Sequence, residues 1–105
     1  MASESSLQAK LVQLCNKAGI LAYKMRSPSR SGVPDLLLMH AGHAIFIEVK
    51  SPNGTGRLSP LQVRTHEQLE SFGMSVHVVS DAATGERLIN EFAGLRPAGG
   101  YHTAD

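Results

Sequence analysis

Two short apolar runs set back to back restrict the fold of this chain more than any other feature. Residues 44–50 alternate, with Ile45, Ile47 and Val49 on one face and Phe46, Glu48 and Lys50 on the other, the period-2 pattern of a β-strand. Residues 34–39 form a second such run, and Pro34 is tolerable at its start because no ladder bond is lost there. Ala41-Gly42 between the runs suits a tight turn, so the pair predicts an antiparallel hairpin. Antiparallel pairing brings Asp35, at the start of one strand, to the same end of the sheet as Glu48 and Lys50, near the end of the other. Glu48 and Lys50 share a face because they are two apart.

The rest of the chain builds around that hairpin. Residues 4–18 read as a helix: Leu7, Leu11, Leu14, Cys15 and Ala18 repeat at the spacing of one apolar face, Ser3 can cap the start, and Gly19 can end it. Glu4 lies three residues before Leu7 and so projects from the inward stripe. Residues 20–25 form a first strand, followed by a polar, basic loop, 26–32, and a second flexible loop, 51–56, ends near Arg57. A helix over 60–72 follows, with Ser59 as N-cap, Pro60 in the first turn, Gly73 as its stop, and Leu61, Leu69 and Phe72 as its buried stripe. Residues 74–79 form a fourth strand, reached by a right-handed crossover and paired in parallel. A weaker helix covers 82–93, with Gly85 unfavourable inside it. The order α-β-β-β-α-β plus a final helix predicts an α/β fold with a central mixed sheet flanked by helices.

A chain of 105 residues has room for one domain, 1–105, with its core in about 4–93 and a Gly- and Pro-rich tail, 94–105, expected to be loosely ordered. An apolar content of 42% fits a folded globule. The longest apolar runs, such as residues 36–39, are too short to span a bilayer, and residues 1–4 lack the layout of a signal peptide, so a cytoplasmic protein without a membrane partner is expected. The lone Cys15 agrees and reads as a core residue.

Net charge is only +1, but its distribution is uneven. Residues 1–66 hold eight Lys/Arg against three acids, a net +5, whereas residues 67–105 hold two against six, a net −4. The basic half suits a phosphate-binding surface. Its three acids are Glu4, Asp35 and Glu48, and carboxylates kept inside a basic field commonly hold a cation or do chemistry.

Two carboxylates with open positions suit Mg2+ or Mn2+, which bind through one or two carboxylates, water and substrate phosphate. Such a cation can polarise a phosphodiester and activate water, and Lys50 can orient that water or offset the transition-state charge. Lys24, Arg26, Arg30, Arg57 and Arg64 are the candidate phosphate contacts. Among the histidines, His40 and His43 flank the hairpin turn and read as surface residues, His77 reads as structural, and His66 lies one turn from Gln62 on its side of the helix.

The run Gly32-Val33-Pro34-Asp35-Leu36, then Glu48-Val49-Lys50, then the helix beginning Leu58-Ser59-Pro60-Leu61-Gln62, resembles the PD-(D/E)xK nucleases. More narrowly, residues 4–80 resemble a stand-alone virus-type replication-repair nuclease (VRR-NUC) domain. The resemblance implies a restriction-endonuclease-like core and a Mg2+- or Mn2+-dependent endonuclease acting on DNA. It implies that Asp35 and Glu48 ligate metal with the Val49 carbonyl, that Lys50 is catalytic, and that Glu4 approaches the metal from the first helix. Gln62 would orient the lysine or a water. Two readings stay open for Gln62, because Ser59-x-x-Gln62 is also a capping box, and for Glu4, which also suits a helix dipole. Similar stand-alone domains are phage or prophage proteins, form homodimers, and are associated with DNA repair and with branched DNA such as four-way junctions. Alternatives are a flap- or end-directed nuclease within a larger complex and a non-catalytic DNA-binding module of the same fold.

Overall fold

The computed structural model describes residues 3–25, 32–51 and 56–98. Seven elements follow in order: α1 (Glu4–Ala18), β1 (Leu21–Lys24), β2 (Leu36–His40), β3 (His43–Val49), α2 (Pro60–Ser71), β4 (Ser75–Val79) and α3 (Ala82–Ala93). The strands lie in the order β1-β2-β3-β4. β1 with β2 and β2 with β3 are antiparallel, and β3 with β4 is parallel. This is the expected α/β architecture with a mixed sheet. The second strand starts two residues later than its apolar run, at Leu36; Pro34 has no N–H to give a ladder, and the Asp35 carbonyl instead accepts from Met25 N at 2.8 Å. Lys50 lies just past β3, yet its N–H still reaches the Val79 carbonyl at 2.9 Å.

The hairpin strands share one core with α1 and α3. Leu7, Leu11 and Cys15 from α1, Leu36 and Leu38 from β2, Ile47 and Val49 from β3, Val79 from β4, and Ile89 and Phe92 from α3 form one buried cluster. Burial pushes the Cys15 thiol up to about 11, so it stays an unreactive apolar group. β3, between two neighbours, is buried on both faces from Phe46 to Val49. Its outer face therefore cannot meet solvent and must satisfy Glu48 internally.

Local chemistry explains the helix ends. Ser3 and Ser6 form a reciprocal capping box at the start of α1, and Gly19, at φ 76°, ends it in the left-handed region. Gly85 inside α3 has a packing reason: a Cβ there would collide with Leu11 Cδ2 and come within 3.3 Å of Val79 Cγ1. Leu11 is fully buried and cannot yield. Gly85→Ala should therefore cost about 1 kcal/mol net, because overpacking costs roughly 1–3 kcal/mol against about 1 kcal/mol of helix propensity gained. Urea denaturation of both proteins checks this, and a more stable variant would refute it.

Two expectations are corrected here. The buried stripe expected for α2 is not observed: Leu61 is 41% and Phe72 82% exposed, and His66 is the buried residue of the helix. α2 turns its Gln62–His66 side inward because Glu48 and Lys50, not an apolar surface, lie beneath it. His40 and His43 are not idle surface groups: the His40 ring packs at 6.1 Å from Phe92, and His43 Nε2 meets the Arg96 carbonyl at 2.7 Å. After α3, Ala98 N–H donates to the Ala41 carbonyl of the hairpin turn at 2.7 Å. Among the described residues, no helix is long and apolar enough to cross a membrane.

Candidate active site

The hairpin register determines the site. Leu36 pairs with Ile47, so Asp35 falls opposite Glu48 on the same face of the sheet. Val49 N–H donates to Asp35 Oδ2 at 2.7 Å, which locks the Asp35 carboxylate across the two strands. Asp35 and Val49 then line a polar cleft of about 220 Å3 with Glu4, Ser5 and Gln8, where the start of α1 approaches the end of the hairpin. Glu4 is exposed and in the first turn. Since Ser3 and Ser6 supply the capping box, Glu4 is not needed as a cap, though its place still favours the helix dipole.

Glu48 occupies an unusual position for a carboxylate. It is only 2% exposed, so the reading of Glu48 as an ordinary solvent-facing residue does not hold. Its carboxyl is pushed up to about 8, chiefly by burial and then by hydrogen bonding and repulsion from Asp35; Lys50 acts in the opposite sense. Two nearby carboxylates in a poorly solvated place need positive charge before both can ionise.

Gln62 joins the two halves of the site. Its Oε1 accepts from Lys50 Nζ at 3.0 Å and from Ser59 N at 2.9 Å, while its Nε2 donates to Glu48 Oε2 at 3.3 Å. The capping box and the lysine contact therefore coexist, because a carbonyl oxygen offers two lone pairs. His66, one turn on, places Nε2 at 3.2 Å from Glu48 Oε1. Burial lowers the basicity of the ring, so the contact is a hydrogen bond between a neutral imidazole and the carboxyl group and not an ion pair. His66 belongs to the site although its sequence signal was only its spacing of four from Gln62.

The basic candidates converge less. Lys24 ends β1 opposite Leu36, at the Asp35 end of the sheet. Arg57 is exposed just before α2, and Arg64 is exposed on α2, on the side opposite Gln62 by helical spacing. Arg26 and Arg30 lie outside the described residues. Among the described residues, no group of three or more His, Cys, Asp or Glu is placed to cage a metal. Two carboxylates beside a strand carbonyl are instead a donor set of hard oxygens, suited to Mg2+ or Mn2+ more than to a thiolate- or imidazole-seeking metal.

A close approach keeps α2 on the site. A Cβ on Gly32 would strike Thr65 Oγ1 and sit 2.8 Å from the Leu61 carbonyl oxygen. Gly32→Ala should push α2 outward, draw Gln62 and His66 away from Lys50 and Glu48, and lower cleavage about 10- to 100-fold, since misplacement by 1 Å can cost that much. Steady-state cleavage beside thermal unfolding tests this; wild-type turnover in a folded variant would contradict it.

Comparison with known proteins identifies the family. Residues 1–82 match the model of the VRR-NUC domain. The chain is 40% identical over 77 residues to "Putative nuclease p44" of Acyrthosiphon pisum secondary endosymbiont phage 1, covering 72% of this chain and 81% of that protein. A solved structure described as a VRR_NUC domain superposes with a TM-score of 0.74 at 30% identity, covering 87% of this chain and 99% of that one. The chain thus belongs to the VRR-NUC family of nuclease domains.

Proposed function

We propose that this protein is a Mg2+- or Mn2+-dependent DNA endonuclease that hydrolyses phosphodiester bonds, with branched DNA such as four-way junctions as its substrate. The observation that carries the reading is the convergence of Asp35, the buried Glu48 and the Gln62-held Lys50 at one end of the sheet. Asp35, Glu48 and the Val49 carbonyl would hold the cation, with Glu4 beside them. When bound, the cation supplies polarisation of the phosphate and a more acidic attacking water.

The chain's own groups do the rest. Asp35, locked by the Val49 amide, and Glu48, held from the α2 side, keep two carboxyl groups in fixed places. Gln62 fixes the Lys50 ammonium, which orients the water and offsets the negative charge that builds as the water oxygen adds to phosphorus and an ester P–O bond breaks. Lys24, Arg26, Arg30, Arg57 and Arg64 are the proposed phosphate contacts, reading DNA shape and not base edges.

We further propose a homodimer working in the cytoplasm of a bacterial host, a setting supported by the phage relative. Leu61, Val63, Phe72 and Val78 are exposed on α2, its end and the edge strand β4, apolar surface of the kind a second copy covers, and a two-fold pair of sites suits cutting two strands. The test is cleavage of labelled four-way junction, flap and linear duplex DNA with Mg2+, Mn2+ or EDTA, beside light scattering. Junction cleavage that needs metal, from a particle of twice the chain mass, is expected. Binding without cleavage of any substrate would overturn the reading, and preference for the flap would overturn the junction assignment. Raising salt should weaken DNA binding steeply, log K falling by about 0.9 per log unit of salt for each phosphate neutralised; a flat fluorescence-anisotropy salt series would exclude the basic half as the DNA face.

A further inference from the structure

The face of α2 turned to the sheet contains a histidine where a helix usually places an apolar residue. His66 is 7% exposed, while Leu61, Val63 and Phe72 on the same helix and its end are 40% or more exposed. Filling space does not account for that arrangement, because α2 leaves Leu61 and Val63 outside and only half-buries Leu69, while His66 is its buried residue. An imidazole is costly to bury unless its ring nitrogens have partners, and here Nε2 lies 3.2 Å from Glu48 Oε1. The other oxygen, Oε2, receives Gln62 Nε2 at 3.3 Å. Each oxygen of Glu48 is therefore engaged from α2, Oε1 by the His66 ring and Oε2 by the Gln62 amide, one helical turn apart on a single helix. With Glu48 held from both sides, its rotamer is fixed before any cation arrives.

We propose that His66 is a positioning residue that orients the Glu48 carboxylate and thereby sets the affinity of the site for a divalent cation. The proposal rests on the metal-dependent reading above. A group that hydrogen-bonds a metal-ligating carboxylate without touching the metal typically controls affinity 10- to 100-fold. Without His66, Oε1 loses its contact on the α2 side and Gln62 holds only Oε2 there, so loss of His66 costs ordering of Glu48 at the moment of binding.

The experiment is Mn2+ titration of the DNA-free protein by calorimetry, with thermal unfolding of each sample in EDTA. His66→Leu should weaken Mn2+ binding about 10- to 100-fold while the metal-free protein stays folded. His66→Gln, which returns an amide N–H at similar reach, should recover most of that loss. A purely structural histidine would show the reverse: lowered unfolding temperature in both variants and unchanged affinity in whatever remains folded. For the wild type, which needs no substitution, long-range 1H–15N spectra with Mg2+ should show the His66 ring protonated at Nε2; a ring protonated only at Nδ1 would overturn the proposal. Wild-type affinity in folded His66→Leu, with binding lost in Asp35→Asn, would overturn the role of His66 alone. Wild-type protein that binds no Mn2+, or Asp35→Asn that binds as wild type, would overturn the metal reading and this inference with it.

Discussion

Lys50→Ala should lower the rate of DNA cleavage by about 100- to 1000-fold, the range for removing one preorganised donor from a developing oxyanion. The loss should fall on kcat, with KM little changed, because the ammonium is most useful when negative charge builds on the oxygens around the phosphorus. Stability should change little. Gln62 Oε1 keeps its second donor, Ser59 N–H at 2.9 Å, so the α2 cap survives the substitution. Single-turnover cleavage of the proposed junction substrate, with unfolding measured alongside, provides the check. A Lys50→Ala protein that cleaves at the wild-type rate would remove Lys50 from the mechanism, and one whose only defect is a raised KM would make it a simple phosphate contact. Lys50→Arg should not restore full activity, since a planar fork cannot reproduce a point charge aimed at one amide oxygen.

How much of this was readable beforehand differs by element. α1 and α3 match their expected spans, 4–18 and 82–93, because apolar periodicity and capping residues are local signals. The hairpin was equally legible: alternation across 44–50 and a turn at Ala41-Gly42 determine the register, and the register alone places Asp35 opposite Glu48. For Gln62, capping and catalytic readings competed in the sequence, and the structure shows both contacts on one oxygen. The buried side of α2 was not legible from periodicity. A helix buries whichever side matches its neighbour, and the neighbour here is a polar sheet end assembled from residues 48 and 50. Distance in sequence hid other contacts too. Gly85 looked like a defect until Leu11 was seen against it, and nothing local to His43 announces Arg96, 53 residues away.

Glu48→Gln should abolish cleavage and, in the absence of metal, stabilise the protein above neutral pH. The carboxyl stands at about 8 in the folded chain against an ordinary value of 4.5, so its neutral form is favoured by folding. Such a group contributes fully below about pH 4.5, and its contribution is lost as pH rises toward and through 8. In EDTA, the wild type should therefore fall behind Glu48→Gln progressively between pH 5 and pH 8–9, at about equal stability at the acid end. Glutamine can keep both contacts, its oxygen accepting from Gln62 Nε2 and its amide donating to a His66 ring that carries its proton on Nδ1. Added Mg2+ or Mn2+ should invert the order, because a ligand that binds only the ionised site stabilises the wild type by linkage and leaves the variant unmoved. Cleavage by the variant should drop about 1000-fold or more, since the several kcal/mol supplied by the cation are lost with its ligand. Thermal unfolding at five pH values, with and without metal, reads all of this. Parallel pH curves for the two proteins would show that Glu48 is not the strained group, whereas a wild type unaffected by metal would show that its carboxylate is not a ligand.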